Sequence, residues 1–288
     1  MKKIIPALLA AALSASLWFV PYTASAAPLW ETIPAQQALP PQMQHGRVEH
    51  DGASIWYGVI GSGDPVILLH GGRASSLTWG NQIAALLAAR RQVILIDSRG
   101  HGRSTLGEKP LSYELMETDV LAVMVALKLK KADIAGWSDG AIVGLVMAMK
   151  NPQRVNKVFA FGPNMNSRFL GAPVNSPVLP LLGPRLTGDY ASVAATTNAD
   201  GFAKLNDAVR AMQASQPNYS DEQLAAINGP QIAIVAGDHD EFISKQHFEY
   251  LSATIKGSSL IVLRDVSHFA PWQDPASFNA ALTGFLSR

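Results

Sequence analysis

Ser138 stands in Gly136-Trp137-Ser138-Asp139-Gly140, a serine with a glycine two residues to either side. A serine hydroxyl is a poor nucleophile until a base takes its proton and a carboxylate orients that base. The chemistry this spacing could perform is therefore acyl transfer through a serine–histidine–acid relay. Of the seven histidines, His268 is the best placed as base. It lies in "DVSHFAPWQDP" (265–275), after the last apolar run and before the final helical stretch. Asp238 and Asp240 follow another apolar run in "AGDHDEF" (236–242), and either could be the acid. Serine, acid and histidine then occur in the chain order that belongs to one known architecture.

Apolar periodicity supplies the frame for these residues. Residues 132–137 read as a short strand and 139–150 as a long, almost wholly apolar helix, so Ser138 falls at the turn between them. Such a turn crowds the backbone, and glycines at 136 and 140 remove side chains that would collide. It also presents the hydroxyl over the sheet edge, at the positive end of the helix. Upstream, "GRVEHDGASIWYGVIG" (46–61) predicts two strands joined at Asp51-Gly52. "PVILLH" (65–70), "QVILID" (92–97), "VNKVFAFG" (155–162), "QIAIVAG" (231–237) and "SLIVLRD" (259–265) all read as buried strands. Helical spacing appears at Ile83, Leu86 and Leu87, at Met116, Val120, Val123 and Leu127, over 243–255, and over 275–287.

Strands alternating with helices predict an α/β protein with a mostly parallel sheet flanked by helices and chemistry at the carboxyl ends of the strands. Residues 165–229 break the alternation with a Pro-rich segment (173–184) and short helices, one opened by the capping-box spacing Ser220-Asp221-Glu222-Gln223. An insertion of that size at the carboxyl edge is expected to be a cap over a site.

The 288 residues are 48% hydrophobic, enough for one large core, and the net charge of +1 gives no electrostatic reason for a nucleic-acid or acidic-lipid partner. Lys2 and Lys3, the apolar run Ile4 to Val20 and the small residues Ala24-Ser25-Ala26 form the pattern of an export signal. An uncleaved anchor is the alternative, disfavoured by Pro21 and the cleavage pattern. The mature chain is expected to begin near Ala27, periplasmic or secreted. There is no cysteine, so neither a disulfide nor N-terminal lipidation is expected. The expected division is a signal over 1–26, a lead over 27–44, a core over 45–164 and 230–288, and a cap over 165–229.

Several motifs together resemble the α/β-hydrolase superfamily over nearly all of 45–288 except the cap. "HGG" (70–72) follows the third strand, where that superfamily keeps an oxyanion loop. "DSRGHGRS" (97–104) is similar to its D-x-R-G-x-G-x-S turn, "GWSDG" (136–140) to its nucleophile elbow, and "SHFAPWQDPASFN" (267–279) to its histidine loop and final helix. "GDHD" (237–240) resembles its acid turn, in which the last aspartate is the triad member, and so selects Asp240. The pairing of GWSDG with DSRGHGRS resembles the branch of valacyclovir hydrolase and related esterases.

The resemblance implies an α/β-hydrolase fold with a helical cap after the sixth strand. It also implies a serine esterase in which His268 takes the proton of Ser138 and Asp240 holds the imidazole. The backbone N–H groups of Asp139 and Gly72 would meet the oxyanion, with Arg73 a second candidate for the loop donor. His70, Asp97, Arg99 and the Asp139 side chain would be structural. Substrate contacts are expected from Arg73, Trp137, Met165 and Trp272, with Phe169, Leu170 and Phe202 as further apolar wall. No cofactor or metal is implied, and the partner is a small-molecule ester. Lactone, amide, C–C bond and peroxidase-like chemistry remain open on the same triad, as does a ligand-binding protein that keeps the fold. A dehalogenase would need a carboxylate at position 138.

Overall fold

The computed structural model describes Met1 and residues 27–169, 176–194 and 201–288. The export signal expected over 1–26 thus lies, but for Met1, outside the described residues, as does Leu170. Eight strands form one sheet: β1 (Gln44–His50), β2 (Ala53–Ile60), β3 (Asp64–Leu69), β4 (Arg91–Ile96), β5 (Ala132–Trp137), β6 (Val155–Phe161), β7 (Ile232–Gly237) and β8 (Ser259–Leu263). Their order is β1-β2-β4-β3-β5-β6-β7-β8. β2 runs antiparallel to both neighbours, and every other pairing is parallel. The turn at Asp51-Gly52 has positive φ at both residues (47° and 77°), as a two-residue hairpin turn requires.

Strands in the middle of this order are buried on both faces, which is why they read as continuous apolar runs. Their side chains alternate between two cores. Ile67 and Leu69 of β3 pack with α2 (Tyr113–Ala126) and α3 (Asp139–Lys150), while Val66 and Leu68 pack on the other face with α1 (Gly80–Ala88) and α9 (Pro275–Leu286). The helix stripes read from the sequence are the inward faces, with Met116, Val120 and Val123 on one side and Phe278, Leu282 and Phe285 on the other. α7 (Lys245–Thr254) covers the first core with Phe248 and Leu251.

β8 corrects one expectation. It is an edge strand, not a buried one, and leaves Leu260 38% and Val262 40% exposed. Its apolar run could not reveal this, because an edge is a property of strand order.

After β6 the chain builds α4 (Leu179–Val193), α5 (Gly201–Ser215) and α6 (Asp221–Ala225) before returning to β7. Among the described residues of this cap there is no strand, only the bridge Asn166–Asn218. The helices are not all short: α4 and α5 each run 15 residues. The proline-rich stretch hides α4 because Pro180 occupies its first turn, where no intrahelical N–H is needed. Ser220 and Gln223 do form the capping box at α6.

Candidate active site

Ser138 joins β5 to α3 with φ 54° and ψ −119°, a left-handed conformation that costs a non-glycine residue about 1–3 kcal/mol. Its N–H donates to the Phe161 carbonyl of β6 at 2.8 Å, and its carbonyl accepts from Ala141 and Ile142 at 2.9 and 3.1 Å. A serine at a helix N-cap ordinarily spends its hydroxyl on the first turn. Ser138 makes no such bond, so the strained turn holds a hydroxyl that capping does not use. The neighbouring glycines are obligatory. A Cβ at Gly140 would run into the Leu69 and His70 carbonyl oxygens, and one at Gly136 into the backbone of Gly140 and Ala141. Backbone atoms cannot step aside as a side chain can. Gly140→Ala should therefore lower stability by about 3 kcal/mol, read as a fall in the urea midpoint.

His268 Nδ1 donates to Asp240 Oδ2 at 2.8 Å, and the other oxygen of Asp240 accepts the Phe242 and Ile243 N–H groups at 2.9 Å each. Asp238 turns away, accepting the Val266 N–H at 3.3 Å and facing Arg264. The choice between the two aspartates falls on Asp240. With the proton on Nδ1, Nε2 is the basic nitrogen of a ring that lines the same cavity as Ser138. Among the described residues no direct bond joins Ser138 to His268. Such bonds are commonly long before substrate binds.

Two further groups fix the His268 backbone. The Trp137 indole donates to its carbonyl at 2.7 Å, and Glu241 Oε2 accepts its N–H at 3.1 Å. Glu241 is buried and was not singled out in the sequence, where it is simply the residue after Asp240. Gln273, on α8 (Ala270–Gln273), ties the same loop to the N-terminal lead through the Trp30 and Thr32 carbonyls. Burial pulls the His268 imidazolium down. The Asp240 charge and hydrogen bond, with Glu241 behind them, outweigh it and hold the group above its ordinary 6.5.

Gly72, Arg73 and Asp139 also border the cavity. Among the described residues, their backbone N–H groups donate to no acceptor. Free donors beside the Ser138 hydroxyl are what an oxyanion hole needs. The Asp139 side chain is buried and tied down, accepting Tyr113 Oη at 2.9 Å and the Gln213 amide at 3.1 Å on both oxygens. Burial raises its pKa, and the Gln213 and Tyr113 bonds oppose that shift.

His70, Asp97 and Arg99 brace the surrounding loops. His70 donates to the Gly71 carbonyl at 2.8 Å and accepts the Ser98 N–H at 3.0 Å. Asp97 accepts the Ser76 and Arg103 N–H groups, and Arg99 forks onto Asp119 at 2.7 and 2.9 Å.

Burial holds His70 below its ordinary value and His101 down to about 3, so His101 stays neutral in the fold. The unfolded chain binds the His101 proton from about pH 6.5 downward and the folded chain does not. Stability is therefore full above that pH and falls below it. His101 should remove up to about 1.4 kcal/mol per pH unit, with His70 acting in the same direction, measurable as a declining urea midpoint between pH 7 and 5.

The cavity measures about 350 Å³. Arg73 and Trp137 line it as expected, although most of the Trp137 ring is buried against Phe269 and Trp272. Met165 and Trp272 do not. Both are core residues, 0% and 1% exposed, and Trp272 spends its indole N–H on the Thr78 carbonyl. Phe169 packs on His247 and Tyr250, and Phe202 on Tyr190, so neither forms the wall. The cap supplies Leu179, Leu182 and Leu186 from α4 and Gln213 from α5 instead. The leucines carry a helical spacing that the intervening prolines obscured. Among the described residues no three His, Cys, Asp or Glu side chains are grouped to hold a metal, and no helix is long and apolar enough to cross a membrane.

The sequence pattern of the alpha/beta hydrolase fold matches residues 64–230, more than half of the chain. The chain belongs to the alpha/beta hydrolase family. Across the family it is similar to serine hydrolase BPHL of Mus musculus, at 25% identity over 83% of this chain and 85% of the mouse protein. It is 27% identical to the 2-hydroxy-6-oxononadienedioate/2-hydroxy-6-oxononatrienedioate hydrolase of Escherichia coli, over 81% of this chain and 91% of that one. A hydrolase from Pseudomonas aeruginosa PA01 superposes with a TM-score of 0.69 at 25% identity, covering 87% of this chain and all (100%) of that one. The resemblance read from the motifs is thereby borne out at the level of family and fold.

Proposed function

We propose that this hydrolase is an exported serine enzyme that cleaves a carboxylic ester through an acyl-enzyme on Ser138. The observation that carries the reading is the His268–Asp240 pair at 2.8 Å, on the same cavity as a strained serine whose hydroxyl has no structural use. His268 Nε2 takes the Ser138 proton as Oγ attacks the ester carbonyl. The Gly72 and Asp139 N–H groups receive the oxyanion, each worth about 3 kcal/mol in the transition state. His268 then returns the proton to the leaving alcohol, and a water molecule repeats the sequence to free the acid. Asp240 keeps the imidazole in the required tautomer and stabilises its cation. Export rests on the Lys2-Lys3 start, the apolar run and the Ala24-Ser25-Ala26 pattern.

A second reading, C–C bond hydrolysis by the same groups, is favoured by the 27% identity with the Escherichia coli hydrolase, whose named substrate is an oxo compound. A panel of p-nitrophenyl esters of rising acyl length, beside lactones, amides and a vinylogous diketone, separates the two. The ester reading expects turnover of short and medium acyl esters, to suit a cavity of about 350 Å³. Turnover of the diketone alone would replace that reading with the second. A Ser138 that a fluorophosphonate labels, in a protein that turns over none of the panel, would leave a ligand-binding protein.

A further inference from the structure

We propose that Arg73 is a specificity residue that binds a carboxylate on the acyl part of the substrate, so that the preferred esters are those of acid-bearing acyl groups. The inference rests on the serine-hydrolase reading of the same cavity and adds the substrate class to it.

Arg73 follows the oxyanion glycines and lines the cavity. Its backbone φ of 64° is in the left-handed region, unusual for a side chain of this size. That conformation sends the guanidinium toward α5, where Nε donates to Asn206 Oδ1 at 2.8 Å and Nη1 to Gln213 Oε1 at 3.4 Å. Both acceptors are neutral amides, and they take two of the five N–H donors of the fork. Among the described residues Arg73 has no carboxylate partner. Arg91, Arg99, Arg103 and Arg185, also shielded from solvent, each have one.

Asp139, the carboxylate nearest to hand, has Tyr113 and Gln213 on its oxygens. Arg210 adds a second positive charge to the surroundings. Burial depresses the guanidinium, the Asp139 charge opposes that shift without bonding to it, and the group keeps its proton. A half-buried cation with unused donors at the wall of a cavity is a receptor for an anion, and a planar fork fits a carboxylate in particular.

The direction of the substrate follows from the proton path. His268 must reach the leaving group, so the alcohol lies on its side of the cavity. With the carbonyl oxygen taken by Gly72 and Asp139, the acyl chain occupies the remaining part of the cavity, whose wall includes Gln213 and Arg73. A carboxylate on that chain meets the guanidinium.

The test compares the p-nitrophenyl monoester of glutaric acid with the neutral p-nitrophenyl valerate, in the wild type, Arg73→Gln and Arg73→Lys. The readout is the ratio of kcat/KM for the two esters, in which effects common to both cancel. Arg73→Gln should lower the acidic-to-neutral ratio by about 10- to 100-fold, the size of one charge-assisted contact. Arg73→Lys should recover part of it, since it restores the charge without the fork. Calorimetry adds a readout free of turnover. Monomethyl glutarate should bind Ser138→Ala and lose that binding in Ser138→Ala/Arg73→Gln. An unchanged ratio, or binding indifferent to Arg73, overturns the inference. Arg73-dependent binding with no ester turned over sustains the Arg73 site and defeats the hydrolytic reading instead.

Discussion

Ser138→Ala should lower kcat on a p-nitrophenyl ester by about a million-fold, the loss typical of removing a serine nucleophile. The substitution should hardly touch stability. The Ser138 side chain makes no capping bond, and alanine meets the same backbone strain as serine, so the change in unfolding free energy should stay within about 0.5 kcal/mol. Ser138→Gly should go further and stabilise the fold by about 1 kcal/mol, because glycine accepts a φ of 54° without penalty. Activity lost while stability rises would show that the strain is held for the hydroxyl. Steady-state kinetics and urea unfolding on the three proteins read both effects.

Asp240→Asn should cost about ten thousand-fold in kcat, and the structure dictates why. One oxygen of Asp240 accepts two backbone N–H groups, from Phe242 and Ile243. An asparagine would keep its carbonyl there and aim its NH2 at His268 Nδ1. The ring must then carry its proton on Nε2, the nitrogen that has to accept one from Ser138.

The pH profile follows from the same contact. The wild-type base is held above 6.5 chiefly by Asp240 against burial, so kcat/KM should fall on acidification through a midpoint above that value. In Asp240→Asn the midpoint should move down, since burial then acts unopposed by the main charge. Glu241→Gln should shift it in the same direction by less. An acid limb unmoved in Asp240→Asn would separate that carboxylate from the base.

The fold was legible because its central strands are buried on both faces and most of its helices carry an apolar stripe. Both patterns survive in a single sequence. Ser138, Asp240 and His268 were legible for a related reason: each lies at a strand end, and their types admit few structural explanations together. The substrate wall was not. Met165 and Trp272 are apolar residues close in sequence to the site, and nothing in their type distinguishes a wall from a core; packing places both in the core. Leu179, Leu182 and Leu186 line the cavity from a helix whose prolines masked its period. Glu241 was passed over because a carboxylate beside two others looks like a solvated turn. Only the fold reveals that it holds the His268 N–H.

The measurement closest to the central claim is peptide mapping by mass spectrometry after treatment with a fluorophosphonate. One equivalent of adduct should form on the peptide containing Ser138, form more slowly in Asp240→Asn, and be absent from Ser138→Ala. An adduct on another residue, or ester hydrolysis persisting at the wild-type rate in Ser138→Ala, would contradict the account.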